Sequence, residues 1–263
     1  MLSNKVWFSD QVKKGKTLTD VSEYLNVTKR TVYNWEKKHG LKLKRNARRE
    51  RTNFFNEDFF VEIDNEEKAY ILGFVMADGC IGSHGRSLDI KLQASDIDIL
   101  YKINAAMCSS AKITDRANGK YKTVSLCSKK MILDLEKYTV TNSKSSTLLF
   151  PVLENVELYR HFIRGFFDGD GHIGFRQCAL VIGSPSFFDS FMSFLKHNFD
   201  FTPWHANKGN YFLIQLSRKD SWFIKWLYND CSIYLDRKFK SYIDNWKAYQ
   251  NEGTELEDKK PSG

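Results

Sequence analysis

The chain lacks every feature that would tie it to a membrane, a disulfide frame or a histidine-bound metal. No apolar run approaches the roughly 20 residues of a membrane helix, and Met1–Lys16 has no continuous apolar stretch of the signal-peptide kind. A soluble, cytoplasmic protein is expected. The five cysteines (Cys80, Cys108, Cys127, Cys178 and Cys231) are scattered, odd in number and never in a C-x-x-C pair. That argues for reduced thiols and against a zinc knuckle. Histidines 84, 161, 172 and 205 show neither H-E-x-x-H nor zinc spacing. Asp168-Gly169-Asp170-Gly171 opens like a calcium loop, but His172 follows and the twelfth position is Ala179, where such a loop needs Glu.

With 42% apolar and 14% aromatic residues, a chain of 263 residues has enough to build a core. Its net charge of +8 is unevenly placed. Residues 1–52 hold 14 Lys and Arg against 5 Asp and Glu, which leaves 26 against 27 for the rest. A basic first fifth is a nucleic-acid signature.

Within that fifth, Leu18, Val21 and Leu25 form one apolar face, Asn26-Val27 breaks it, and Thr28 offers an N-cap to a helix that turns Val32 and Trp35 inward. This is a helix-turn-helix pattern over residues 1–40. Its outward residues Lys29, Arg30, Thr31, Tyr33, Asn34 and Lys37 suit phosphates and base edges. Residues 41–52 carry Lys42, Lys44, Arg45, Arg48, Arg49 and Arg51, and read as a basic linker along a phosphate backbone. Composition turns acidic after residue 53, where a domain boundary is expected.

One motif then occurs twice. Ile71-Leu72-Gly73-Phe74-Val75-Met76-Ala77-Asp78-Gly79 returns as Ile163-Arg164-Gly165-Phe166-Phe167-Asp168-Gly169-Asp170-Gly171. Small residues four apart, Gly73 with Ala77 and Gly165 with Gly169, let two helices pack backbone to backbone. That would unite Asp78 and Asp170 at one end of the contact, as the start of a divalent-metal site. Arg164 is expected to point outward from so tight a pair.

The surroundings repeat as well, with a period of about 90 residues. Leu88, Ile90 and Leu92 alternate with Asp89, Lys91 and Gln93, so residues 87–95 read as a strand with one wet face. A helix over 96–107, a hairpin around Asn118-Gly119 and a helix over 129–138 follow. The second half keeps this order, with strands near 172–183, a helix over 185–199, a hairpin at Lys208-Gly209-Asn210 and helices over 219–229 and 237–250. Leu126-Cys127-Ser128-Lys129 starts 48 residues after Asp78 and Leu216-Ser217-Arg218-Lys219 starts 46 after Asp170. Two αββαββα units, 53–154 and 155–250, are expected, with a polar tail over 251–263.

These residues resemble the LAGLIDADG (dodecapeptide) homing endonucleases in their single-chain, two-motif form. The resemblance covers about residues 53–250. It implies an α+β fold: a pseudo-twofold pair of αββαββα units whose motif helices meet at the centre, with two antiparallel four-stranded sheets as saddles on DNA. It also implies that Asp78 and Asp170, helped by the carbonyls of Ala77 and Gly169, hold Mg²⁺ or Mn²⁺. Segments around Thr141-Asn142-Ser143-Lys144-Ser145 and Tyr234-Leu235-Asp236-Arg237-Lys238 look like those that bring a basic residue to such a site. Lys144 lies 66 residues after Asp78 and Lys238 lies 68 after Asp170. Arg237 and Lys240 compete with Lys238.

The implied activity is hydrolysis of both strands of a long, specific DNA target by a monomer, as in intron homing. Wet-face strand residues Lys91, Gln93, Thr123, Arg176, Gln177 and Gln215 are candidates for base contact. Two alternatives stay open: an RNA maturase that binds intron RNA, and a regulator that binds DNA without cutting. An intein origin is not expected, since the chain opens on a helix-turn-helix and closes Lys260-Pro261-Ser262-Gly263 without a His-Asn terminus.

Overall fold

The computed structural model describes residues 1–45, 53–142 and 144–247, and the chain divides into two compact units, Met1–Thr52 and Asn53–Gly263. Arg48, Arg49, Arg51, Ser143 and the polar tail lie outside the described residues.

The first unit is three helices: α1 (Lys5–Lys13), α2 (Leu18–Tyr24) and α3 (Lys29–His39). Thr17 and Asp20 form a capping box at the start of α2, and Thr28 accepts a hydrogen bond from the Thr31 N–H at the start of α3. Val21 and Val32 are buried as expected, together with Phe8 from α1 and Leu43 from beyond α3. Residues 41–45 therefore correct the expectation of a linker. Leu43 is part of this core, its N–H donates to Glu36 Oε1 at 2.8 Å, and Lys44 bridges to Thr17. Arg45, expected on phosphate, instead grips buried Glu36 with two hydrogen bonds of 2.9 Å. A buried carboxylate needs a partner, and a guanidinium fork is the closest fit.

The second unit holds both repeats. The first runs α4 (Glu66–Asp78), β1 (Gly79–Ile81), β2 (Ser87–Gln93), α5 (Ile97–Ala106), β3 (Thr114–Arg116), β4 (Tyr121–Cys127), α6 (Lys129–Lys137) and the short α7 (Lys144–Thr147). The second runs α8 (Leu158–Asp170), β5 (Gly171–Ile173), β6 (Gln177–Ile182), α9 (Pro185–Phe199), β7 (Trp204–Asn207), β8 (Phe212–Ser217), α10 (Ser221–Tyr228) and α11 (Asp236–Asn245). Two antiparallel sheets result, ordered β1-β2-β4-β3 and β5-β6-β8-β7. At the Asn118-Gly119 turn the backbone is left-handed at both residues, which Asn and Gly tolerate. No helix of the described residues is long and apolar enough to cross a membrane.

Helix α4 is buried from Ala69 to Met76 without a break, as a helix enclosed on all sides must be. Its neighbour is α8, and the glycines set the spacing. A Cβ added at Gly73 would strike the Phe162 carbonyl oxygen, and one at Gly165 would strike that of Tyr70, both well inside the 3.0 Å that real Cβ atoms respect. Each glycine thus faces the other helix's backbone one turn before its partner glycine.

Arg164 contradicts the outward orientation expected of it, because it is 0% exposed. Its Nη2 donates to Glu66 Oε1 at 2.7 Å, its Nε to the Ile233 carbonyl at 3.0 Å and its Nη1 to the Leu227 carbonyl at 3.0 Å. The guanidinium ties α8 to the start of α4 and to the chain entering α11, and those partners make its burial tolerable. The His161 imidazole beside it is pushed down to about 4 by burial and by the Arg164 charge.

Two substitutions test this seam. Gly73→Ala or Gly165→Ala should lower the unfolding free energy by about 3 kcal/mol or more, through overpacking against backbone. The urea midpoint measures it, and an unchanged midpoint would contradict the close approach. Arg164→Ala leaves Glu66 uncompensated and should cost about 3–5 kcal/mol, seen as a large fall in melting temperature.

Candidate active site

Both motif helices end in Asp-Gly for a geometric reason. At Gly79 and Gly171 the chain leaves the helix directly for β1 and β5, with extended backbone at each glycine. A Cβ would come within 2.6 Å of the Val75 carbonyl oxygen at Gly79 and within 2.5 Å of that of Phe167 at Gly171. Only glycine passes, so Asp78 and Asp170 are each the last residue before an abrupt turn. A Cβ added at Gly169 would run into Ala77, which shows how near the two helix ends lie.

Two lysines close those ends. Lys144 Nζ donates to the carbonyls of Val75, Met76 and Ala77 at 2.8, 2.6 and 2.8 Å. Lys238 Nζ donates to those of Phe167, Asp168 and Gly169 at 2.8, 2.6 and 3.4 Å. The last turn of a helix leaves carbonyls without intrahelical donors and carries negative partial charge, and an ammonium with three donors answers both. Lys238, only 3% exposed, is the second-half residue that reaches the motif helix. Its two competitors are engaged elsewhere: Arg237 pairs with Asp96, and exposed Lys240 pairs with Asp244.

Asp78 and Asp170 make no hydrogen bond or ion pair among the described residues, in contrast to the well-held lysines. Burial pushes the Asp170 carboxyl up to about 6, and repulsion from Asp78 adds to this. The Asp78 carboxyl is also raised, by burial first, while Lys238 and Lys144 pull it down. Burial lowers both lysines to about 8, and the two aspartates work against that in each case. Four groups therefore share one electrostatic neighbourhood. Asp170 remains exposed to water at the edge of the site although the chain crowds it, so solvent screening tempers these effects.

Among the described residues no group of three or more His, Cys, Asp and Glu could hold a metal. The donor set is instead two carboxylates with no other partner and the carbonyls of Ala77 and Gly169. Each carbonyl keeps a second lone pair beside its lysine bond. Oxygen donors of this kind fit a hard divalent cation.

Asp168, the sixth residue of the second motif, has a different task from Asp170. It is buried and accepts hydrogen bonds from Tyr70 Oη at 2.7 Å, Tyr228 Oη at 2.5 Å and the Leu235 N–H at 2.8 Å. Burial and the Asp168 charge raise both tyrosine hydroxyls well above their usual value. The Leu235 bond anchors the chain just before α11 and so helps aim Lys238. From the other repeat, Asp96 holds Arg237, and Lys102 Nζ bonds the Tyr234 carbonyl and Asp236 at 2.7 and 2.5 Å. These supports were not anticipated. The one signal was a tyrosine inside the apolar run before Ile71, since a buried hydroxyl needs a partner.

The other candidates fall on two surfaces. Along α3, Lys29, Arg30, Tyr33, Asn34 and Lys37 are exposed and Thr31 is half-buried. Lys42 and Lys44 are exposed as well. On the sheets, Lys91, Gln93 and Gln177 are exposed and Gln215 is half-buried, whereas Arg176, expected on a strand, is exposed in the turn between β5 and β6, because β5 ends at Ile173. Thr123 corrects the expectation of a wet-face residue. It lies on that face but is 7% exposed, between cross-strand neighbours Lys91 and Thr114. Inner strands have neighbours on both sides, so a short side chain there is covered.

No family model and no curated protein matches the chain. Solved structures do. The homing endonuclease I-WcaI bound to its DNA recognition sequence matches with a TM-score of 0.50 at 13% identity, over 70% of this chain and 91% of that one. The I-SmaMI LAGLIDADG homing endonuclease bound to cleaved DNA matches with 0.47 at 11%, over 70% and 88%. Full-length DUF199/WhiA from Thermatoga maritima matches with 0.45 at 15%, over 72% of this chain, which spans 64% of that protein's length. The second unit has the duplicated LAGLIDADG fold, two αββαββα repeats joined through their motif helices.

Proposed function

We infer that the chain is a site-specific endonuclease that hydrolyses both strands of duplex DNA at the seam between the repeats. The observation that carries this is the pairing of two partnerless carboxylates, Asp78 and Asp170, with two lysines that hold the helix ends beneath them. A merely structural pair of carboxylates would be expected to find donors of its own. The likeness to I-WcaI, solved on its DNA recognition sequence, supports DNA as the ligand of the fold.

Asp78 and Asp170, with the Ala77 and Gly169 carbonyls, would hold Mg²⁺ or Mn²⁺. Such an ion acidifies a bound water and offsets charge on the leaving oxygen. The chain's own residues set the conditions for that chemistry. The aspartates supply the negative charge that a cation would neutralise. Lys144 and Lys238, with their protons bonded to main-chain carbonyls, contribute fixed positive charge near the scissile phosphates. Lys91, Gln93, Gln177 and Gln215 would face the groove from the two sheets and Arg176 from the turn between β5 and β6, while α3 would add phosphate contacts.

Asp78→Asn and Asp170→Asn should each reduce cleavage of a selected duplex by at least about 100-fold, with DNA affinity retained. Full cleavage by both variants would overturn the nuclease reading. The same variants carry a pH signature. The folded-state value of Asp170, about 6, lies above the ordinary value near 4. Its contribution to stability is therefore fully present below about pH 4 and is lost as pH rises through about 6. Asp170→Asn should raise the unfolding free energy at pH 7 by about 1 kcal/mol after solvent screening, seen as a higher melting temperature, and bring no gain at pH 4. For the first unit, the triple change Lys29→Ala, Arg30→Ala, Lys37→Ala should weaken binding and reduce the salt slope of log affinity by nearly 3. An unchanged slope would remove α3 from the interface.

A further inference from the structure

The two sheets share a topology but not a chemistry. Strands β1–β4 carry five charged residues, Asp89, Lys91, Asp115, Arg116 and Lys122, whereas strands β5–β8 carry no Asp, Glu, Lys or Arg at all. The contrast holds on the face turned away from the core. There the first sheet presents Asp89, Lys91 and Arg116, with Lys91 lying 4.4 Å over the Tyr121 ring.

On the second sheet the strand pairing defines two rows of that face. One row is His172, Ala179, Gln215 and Trp204, and the next is Val181, Leu213 and Ala206. Gln177 stands beside Ser217 at the margin. The core side of the same strands is filled by Ile173, Cys178, Leu180, Ile182, Ile214 and Leu216, so the apolar residues of the outer face are surplus to the core. Val181 is 38% exposed and Trp204 is 55% exposed.

An apolar stripe on the solvent side of a sheet marks a contact surface. What it contacts follows from its neighbours. Val181 lines a small cavity together with Lys144 and Asp170, so the stripe is continuous with the candidate active site. Arg176, Lys208 and Lys219 are exposed at its edges, and no acidic side chain stands in its rows. Positive edges with a neutral, partly apolar centre suit a duplex, whose phosphates flank a groove floor. In the major groove the apolar group on offer is the thymine C5-methyl, and a glutamine reads adenine through two hydrogen bonds.

We propose that this protein's DNA target is compositionally asymmetric: the half lying on the second sheet is A·T-rich and is recognised through thymine methyl groups packed on Ala179, Val181 and Leu213, with adenine read by Gln215 or Gln177. The first sheet, with Lys91 and Arg116, reads the other half through charged contacts. The inference rests on the duplex-DNA part of the proposed function and is independent of cleavage.

Binding selection from a randomised duplex library with the full chain tests it. Selected sites should be A·T-rich in one half and not in the other. Replacing thymine by deoxyuridine in that half should weaken binding about fourfold per methyl contact. The same replacement in the other half should have no effect. The double variant Val181→Ser, Leu213→Ser, whose side chains lie outside the core, should lose most of the preference for thymine over deoxyuridine, keeping only the contribution of the methyl packed on Ala179. Sites of matching composition in both halves, or indifference to deoxyuridine, would overturn the inference while leaving the nuclease reading intact. Concentration-dependent dimerisation abolished by the double variant would also overturn it, by assigning the stripe to a second copy of the chain. Selection of no duplex would instead remove the DNA reading itself.

Discussion

Everything in the second unit depends on how closely α4 and α8 approach each other. Helices normally keep side chains between them. Here Gly73 and Gly165 each lie against the opposite backbone, with no room for a methyl group. The contact is buried, and side chains fill the space around it, from Tyr70 and Phe74 on one helix to Phe162 and Phe166 on the other. It brings the two C-termini side by side, and with them two aspartates, two turns into strands and two lysines. A separation larger by one side chain would pull the carboxylates apart and leave no common site.

Helix ends placed together raise an electrostatic problem, because both present unpaired carbonyls and partial negative charge, followed at once by an aspartate. Lys144 and Lys238 answer it from segments that are remote in sequence. Their aim is set by the opposite repeat as much as by their own. Arg237 is held by Asp96, Asp236 by Lys102, and the chain before α11 by Asp168, whose carboxylate also accepts a hydrogen bond from Tyr70 of the other repeat. In the first repeat, the Leu148 carbonyl just after α7 accepts a hydrogen bond from Ser184 Oγ, which caps α9. Each half thus positions the lysine segment of the other. Among the described residues, the Asp78 and Asp170 carboxylates are left without donors, and burial raises both carboxyls above their ordinary value.

Much of this fold was legible from local pattern. The duplicated motif, the alternation of Leu88, Ile90 and Leu92, the Asn-Gly turn and the Thr28 cap each rest on a few neighbouring residues. The pairing of Lys144 and Lys238 with the motif helices was legible from spacing together with resemblance. Other features were not. Arg164 reads as an outward residue because a charge in an apolar helix is expected to seek water, and its partners Glu66, Leu227 and Ile233 come from three other segments. Arg45 reads as a phosphate ligand among five basic neighbours, and only the burial of Glu36 claims it. Thr123 follows the wet-face period, yet strand order buries it.

By itself the sequence determined the repeat, the motif aspartates, the glycines that let helices touch and the basic first unit, because each is a matter of residue type at fixed spacing. Only the tertiary structure decided which charged groups are spent on holding the fold and which are left unpaired. The bonds that hold Arg164, Asp168 and Arg237, and the lysines on the helix ends, join residues about seventy to more than a hundred positions apart, and no local period encodes them. That division separates Arg164, Asp168, Arg237 and Arg45 from Asp78 and Asp170. It also separates a charged reading face from an uncharged one on two sheets of the same design.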